Sequence, residues 1–201
     1  MLGFFCSKAD PSLFIYKKAN DLILLLVYVD DVIITGNNAT LVQKFIHDLG
    51  HDFALKDLGA LHYFLGIEVK YFTGGLFLSQ SKYTKDLLTR TNMLASSHLS
   101  TPIAIKQTTQ LVDHTPVDET EYRSIVGALQ YLTFTRPDIT HAVNQVCQHF
   151  HKPTLANLQA VKRILRYLKG SLHHGICFLS QSSLTLNGFC DADWAGCPLT
   201  R

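Results

Sequence analysis

Two adjacent carboxylates, Asp30 and Asp31, follow Tyr28-Val29 and stand between the apolar runs 22–27 and 32–34. Held about 4 Å apart at an effective dielectric of about 20, two such charges repel by on the order of 4 kcal/mol. A divalent cation offsets that repulsion, and Asp oxygens together with substrate phosphates are the ligands Mg²⁺ prefers. The pattern points to metal-dependent phosphoryl transfer. A solvated Asp-Asp turn is the commoner meaning of the same two residues. The apolar flanks favour the metal reading, because they place the pair at the tip of a buried hairpin. Asp191-Ala192-Asp193-Trp194 is a second acidic group, with too few ligands for a hydrolase site of its own. Cys147, His149 and His151 do not share a helical face, which argues against a metal cluster there.

A different chemistry is written between residues 139 and 190, a stretch with no Asp or Glu. Within it Lys162, Arg166 and Lys169 recur at i, i+4 and i+7, opposite Leu158, Val161, Leu165 and Leu168. Arg163 adds to the same helix. An amphipathic, solvated helix explains the spacing. A local positive field without acids also suits a polyanionic partner.

Composition sets the bounds. The chain has 201 residues, 47% hydrophobic and 17% charged, enough for one large domain or two small ones and too apolar for disorder. A net charge of +2 does not by itself mark a nucleic-acid binder. Five cysteines without a CxxC support neither a disulfide framework nor a zinc ribbon, so a reducing, intracellular setting is expected. The longest apolar run, 22–29, is too short to span a bilayer, so no membrane is expected, and the N-terminus lacks a secretory pattern.

The elements that must position these residues follow from pattern. Strands are expected at 13–16, 22–28 and 32–35, with a turn at 17–21. A helix with Leu41, Val42, Phe45, Ile46 and Leu49 on one side begins at a cap by Asn38 or Thr40 and stops at Gly50. Further strands are expected at 53–58, 63–69 and 76–78, and a short helix at 81–91. The polar segment 96–118, with Pro102 and Pro116, reads as a linker and domain boundary. Three helices follow: one capped by Asp118 with Glu121, with Tyr122, Ile125, Val126, Leu129 and Leu132 inward; one after Pro137 capped by Asp138; and one capped by Thr154 and closed by Gly170. Residues 175–179 and 184–190 read as a hairpin opening a new sheet. The fold class is α+β.

Leu24-Leu-Leu-Val-Tyr-Val-Asp-Asp-Val-Ile-Ile-Thr-Gly36 resembles the YxDD motif of reverse transcriptases. Other stretches narrow the resemblance to the Pol polyprotein of copia-type long-terminal-repeat retrotransposons. They are Ser7-Lys-Ala-Asp-Pro-Ser-Leu-Phe14, Lys56-Asp-Leu-Gly-Ala-Leu-His-Tyr-Phe-Leu-Gly-Ile-Glu-Val69, Tyr122-Arg-Ser-Ile-Val-Gly-Ala-Leu-Gln-Tyr-Leu132, Thr135-Arg-Pro-Asp-Ile139, Ala160-Val-Lys-Arg-Ile-Leu-Arg-Tyr-Leu-Lys-Gly170 and Asp191-Ala-Asp-Trp-Ala-Gly196.

The resemblance implies a partial palm with an antiparallel sheet, then a mainly helical thumb and connection region, then an incomplete RNase H-like hairpin. The corresponding divisions are 1–95, 96–118 as linker, 119–172 and 173–201. It implies that Asp30 and Asp31 are catalytic and bind Mg²⁺ or Mn²⁺, that Tyr28 lies near the primer end, and that Lys56 lies beside the incoming triphosphate. Phe64, Leu65 and Gly66 resemble a primer grip, although a strand bend or bulge also explains Gly66. Asp191 matches the first RNase H carboxylate and would be a metal ligand. Lys162, Arg163, Arg166 and Lys169 would contact nucleic acid. The partners implied are an RNA or DNA template-primer, deoxynucleoside triphosphates and the remainder of the Pol polyprotein, in a cytoplasmic particle or the nucleus. The family's third palm carboxylate and its fingers have no match before Tyr28. The chain therefore reads as a fragment of an RNA-directed DNA polymerase that is inactive alone, with a non-catalytic nucleic-acid-binding remnant or pseudogene product as the alternative. The upstream reading frame separates the two.

Overall fold

The computed structural model describes residues 3–53, 55–104, 113–183 and 185–190. The chain forms two compact units that divide after His62. It is α+β, with two antiparallel four-stranded sheets.

The first unit is a meander in the order β1 (Phe5–Cys6), β2 (Leu13–Lys18), β3 (Asp21–Tyr28) and β4 (Asp31–Gly36), followed by α1 (Ala39–Phe53). The β2–β3 turn is only Ala19-Asn20, because Lys18 pairs with Asp21 and both lysines lie within the strand. Side chains alternate across the sheet, so Tyr16, Ile23, Leu25, Val27, Val32 and Ile34 share one face. Helix α1 covers that face. Phe45 is buried and packs edge-on against Tyr16 at 5.2 Å between ring centroids, and Ile23 is fully buried. The opposite face carries Phe5, Leu13, Ile15, Leu22, Leu24, Leu26, Tyr28 and Ile33. Gly36 is required where β4 meets α1, since a Cβ there would lie 2.4 Å from Ile23 Cδ1 and 2.6 Å from the Leu22 carbonyl oxygen.

Asn38, the first of the two residues proposed as the α1 cap, accepts from the Leu41 N–H at 3.2 Å. The helix does not stop at Gly50. It runs to Phe53, because a helical glycine costs only about 1 kcal/mol and no left-handed turn ends the helix there. The strand expected at 53–58 is absent among the described residues. Phe53 is helical, and the chain from Leu55 to Leu58 is irregular and exposed, with no neighbouring strand to pair it.

The second unit joins a sheet, β5 (Tyr63–Phe64), β6 (Ile67–Phe72), β7 (Gly75–Ser79) and β8 (Gly175–Leu179), to α2 (Ser81–Arg90), α3 (Glu119–Leu132), α4 (Thr140–Cys147) and α5 (Leu155–Gly170). The helices enclose the main core: Leu87 and Leu88 of α2, Tyr122, Val126, Leu129 and Leu132 of α3, Val143 and Val146 of α4, and Val161, Ile164, Leu165 and Leu168 of α5. Asp118 caps α3 by accepting from the Glu121 N–H at 2.6 Å. At the start of α2 the Glu68 carboxylate, from β6, accepts from the Lys82 N–H at 2.7 Å.

Four expectations change here. The segment 96–118 is not where the compact units divide, and residues 96–101 are tied to α5 by hydrogen bonds within the second unit. Residues 63–69 are not one strand but a hairpin turning at Leu65-Gly66. Asp138 lies in a 3-10 turn, Pro137–Ile139, and does not cap α4; its carboxylate pairs with Arg136 instead. Residues 175–179 do not open a new sheet. They complete the existing one, with Ile176 opposite Leu78 and Phe178 opposite Leu76, because β7 presents an edge whose backbone groups need partners. Residues 185–190 form no strand, and position 184 lies outside the described residues.

Candidate functional site

Strands β3 and β4 join in a two-residue hairpin. Tyr28 pairs with Asp31, leaving Val29 and Asp30 at the tip. Val29 has φ of +51° and is 82% exposed. A left-handed backbone costs an L-residue roughly 1–2 kcal/mol, and a β-branched side chain is the least suited to it. Strain of this kind clusters at functional sites, where the surrounding structure holds it. Here eight paired residues of β3 and the Tyr16–Phe45 packing hold it.

By strand alternation Asp31 shares the Tyr28 face, away from α1, while Asp30 projects from the turn itself. Both carboxylates are exposed. This corrects the premise of a buried tip. In water a repulsion of about 4 kcal/mol falls to about 1 kcal/mol at the same separation, so the hairpin folds without a cation. What the geometry supplies is two hard oxygen ligands on adjacent, differently directed residues. They fit part of a Mg²⁺ shell, which keeps several waters and takes one or two protein carboxylates with substrate phosphates. Among the described residues no group of three or more His, Cys, Asp or Glu side chains could hold a metal.

The other proposed residues belong to other elements. Lys56 is exposed on the irregular chain after α1. Phe64, Leu65 and Gly66 belong to the second unit, as the β5–β6 hairpin. Leu65 at φ +49° and Gly66 at +81° are its two central residues, both left-handed as in a type I′ turn, so Gly66 is neither a bend nor a bulge. The Tyr131 hydroxyl, on α3, donates to the Leu65 carbonyl and fixes this turn to the helical layer. Asp191, with Asp193 and Trp194, lies outside the described residues.

The basic side of α5 is only partly open. Lys162 is exposed. Arg166 donates from Nε to the Ser97 carbonyl at 2.8 Å and from Nη2 to Ser97 Oγ at 2.6 Å. Arg163 Nη2 donates to Thr101 Oγ1 at 2.9 Å, and Lys169 Nζ donates to the Ser96 carbonyl. Gly170 is the last helical residue, not a left-handed cap; it gives room to His98, whose Cβ would meet a Gly170 Cβ at 3.2 Å.

Sequence reasoning missed a buried polar hub. Arg136, 2% exposed, donates from Nε and Nη2 to the two Asp138 carboxylate oxygens at 2.9 and 2.7 Å, and from Nη1 to the Ser171 carbonyl at 2.9 Å. The Tyr167 hydroxyl donates to Asp138 Oδ2 at 2.7 Å. Burial pushes the Asp138 carboxyl up, but the bonds from Arg136 and Tyr167 and the Arg136 charge outweigh it, and the net shift is downward. Burial, then the Asp138 bond, pushes the Tyr167 phenol up. Burial also drives Tyr122 to about 12, where its hydroxyl donates to the Val146 carbonyl at 2.8 Å. The signal for the hub was Thr135-Arg-Pro-Asp-Ile139: an arginine between apolar helices needs a partner, and an acid two residues on can supply it.

A family model described as reverse transcriptase (RNA-dependent DNA polymerase) matches residues 1–105. The retrovirus-related Pol polyprotein from transposon RE1 of Arabidopsis thaliana is 50% identical over 97% of this chain, which spans 13% of that polyprotein. The corresponding polyprotein from transposon TNT 1-94 of Nicotiana tabacum is 37% identical over 94% of the chain, 15% of its own length. An uncharacterized mitochondrial protein of Arabidopsis thaliana is 50% identical over 88% of the chain and 74% of its own length. No solved structure matches. With a strained Tyr-Val-Asp-Asp hairpin at the end of a covered sheet, and with a family model that matches more than half of its length, the chain belongs to the reverse transcriptase family.

Proposed function

We propose that this chain carries the carboxylate end of an RNA-directed DNA polymerase palm, and that it does not extend primers alone. The observation that supports this is the Tyr28–Asp31 hairpin, which presents Asp30 and Asp31 from a strained turn on a sheet whose other face is packed. Asp30 and Asp31 would hold Mg²⁺ or Mn²⁺. Such an ion neutralises charge on the transferring phosphoryl group and on the attacking and leaving oxygens. Asp30 is the first ligand, Tyr28 faces the primer end, and Lys56 serves the incoming triphosphate. Phe64, Leu65 and Gly66 form a primer-grip turn, and α5 follows nucleic-acid backbone. Residues 119–172 supply the thumb and connection, and Asp191 the first carboxylate of an RNase H-like segment. Template-primer, deoxynucleoside triphosphates and the rest of a Pol polyprotein are the partners, inside the cell.

Two carboxylates alone are a poor two-metal site, which needs ligands on both ions. Among the described residues there is no third acid beside them. That observation favours, as the second reading, a remnant that binds nucleic acid without chemistry. Primer extension on an RNA template with Mg²⁺ or Mn²⁺ tests both. The expected result is no product from the chain alone. Product should appear after addition in trans of the preceding polyprotein segment from a relative, and vanish with Asp30→Asn. Extension by the chain alone, abolished by Asp30→Asn, overturns the proposal; no extension in either setting supports the remnant.

A further inference from the structure

The ties between α5 and residues 96–101 form a strap across the basic side of the helix. Three of its four cations are committed to it: Arg166 to the carbonyl and hydroxyl of Ser97, Arg163 to the hydroxyl of Thr101, and Lys169 to the carbonyl of Ser96. The strap returns one bond, from the Leu99 N–H to the Arg166 carbonyl at 3.2 Å. Every acceptor in the strap is neutral. Among the described residues none of Lys162, Arg163, Arg166 and Lys169 pairs with a carboxylate. The positive charge of the helix is therefore held in place but not cancelled.

We infer that the strap gates a phosphate-backbone site on α5. With the strap seated, Lys162 alone of the four is exposed, the others being half-buried. With it lifted, Arg163, Arg166 and Lys169 turn from neutral oxygens to phosphate oxygens. Two features favour the exchange. A charged acceptor binds a guanidinium or ammonium more strongly than a carbonyl or hydroxyl does. The seated state also leaves Arg163 Nε buried without a partner among the described residues, which penalises it. The far side of this region is tied separately. Val117 N–H donates to the Pro153 carbonyl at 3.1 Å and Leu155 N–H to the Thr115 carbonyl at 2.8 Å, so residues 96–101 can lift without loosening the start of α5.

The inference rests on the reading of α5 as a nucleic-acid contact, and the test separates the two. Binding of the full chain to a fluorescent duplex DNA of mixed sequence is measured by anisotropy across a KCl series. Each phosphate contact contributes about 0.9 to the magnitude of the log–log salt slope. Lys162→Ala should lower it by about 0.9 in the wild-type background. Ser97→Ala combined with Thr101→Ala keeps every cation, removes the two hydroxyl ties, and should tighten binding at fixed KCl by roughly tenfold, with the slope unchanged, because the lifted, bound state makes the same phosphate contacts in both chains. Amide exchange at Leu99 reports the strap directly: saturating duplex should speed it in the wild-type chain. The gate is overturned if the double variant keeps wild-type circular dichroism and its affinity does not rise, or if duplex slows Leu99 exchange. If a chain with all four α5 cations replaced by Ala binds as the wild type does, the nucleic-acid role of α5 falls and the gate with it.

Discussion

Replacing Asp138 with Asn should destabilise the second unit by about 2–3 kcal/mol, less than the roughly 3–5 kcal/mol typical of breaking a fully buried ion pair. The reasoning starts from Arg136. Its guanidinium is 2% exposed and spends two donors on Asp138, at 2.9 and 2.7 Å, and two more on the carbonyl and hydroxyl of Ser171, at 2.9 and 2.7 Å. Asn keeps the shape but removes the charge and turns one acceptor into a donor facing another donor. The buried cation then retains only neutral partners. The discount arises because the Asp138 side chain is 35% exposed, so water reaches the site and takes over part of the interaction. Urea unfolding followed by circular dichroism at 222 nm measures the difference as a lower midpoint at unchanged slope. The pH dependence provides a second reading. The folded-state Asp138 pKa is depressed, so its contribution is present above the unfolded value of about 3.9 and is lost as pH falls through the folded value. The gap between wild type and Asp138→Asn should therefore be full at about pH 6 and shrink below about pH 4. A gap smaller than about 0.5 kcal/mol, the ordinary range for a surface substitution, would show that Arg136 does not depend on this carboxylate. A gap of constant size down to acid would show that the charge is not what Asp138 contributes.

Two further outcomes are expected at the hairpin. Val29→Gly should stabilise the first unit by about 0.5–1 kcal/mol, because the left-handed backbone ceases to be strained and the flexibility glycine adds to the unfolded chain offsets only part of the gain; chemical unfolding checks this, and a destabilised variant would refute the strain argument. Mn²⁺ should bind weakly at Asp30 and Asp31 and broaden the amide signals of the tip more than those of α1, and Asp30→Asn should abolish that pattern. An unchanged pattern in Asp30→Asn rejects the ligand assignment.

The parts legible in the sequence were those with short-range cause. Strands β3 and β4 follow from apolar runs broken by two acids, and the core positions of α3 and α5 from helical spacing. Asp118 and Thr154 stand where caps are needed. What was not legible depends on distant partners. Strand β8 pairs with β7, about 100 positions earlier, and nothing in residues 175–179 names that partner. Asp138 suits a helix cap and an ion pair equally by type, and the choice is made by Arg136 being buried. The cations of α5 were placed opposite Leu158, Val161, Leu165 and Leu168. Periodicity identifies the side of a helix but not what lies on it, and the strap has no periodicity to betray it. The exposure of Asp30 and Asp31 was misjudged for a related reason: apolar flanks report burial of the strands, and a two-residue turn extends past that burial.

The family match over residues 1–105 and the compact units answer different questions. The match ends just past the strap. Yet within the second unit, the sheet begun by β5, β6 and β7 gains its fourth strand from residues 175–179. The strap's acceptors are met by α5, Leu87 and Leu88 of α2 are buried against residues of α3 to α5, and the Leu65-Gly66 turn is held by Tyr131 of α3. Residues 63–104 therefore lack, within themselves, the partners that bury their apolar side chains and satisfy their edge. The first unit is different: its four strands pair with one another, and Phe45 of α1 packs on Tyr16 of β2. The paired acids thus stand on the meander of the first unit. The turn proposed as a primer grip stands on a unit that is completed only from the C-terminal half of the chain. A substitution in α3 or α5 can then disturb that turn through packing.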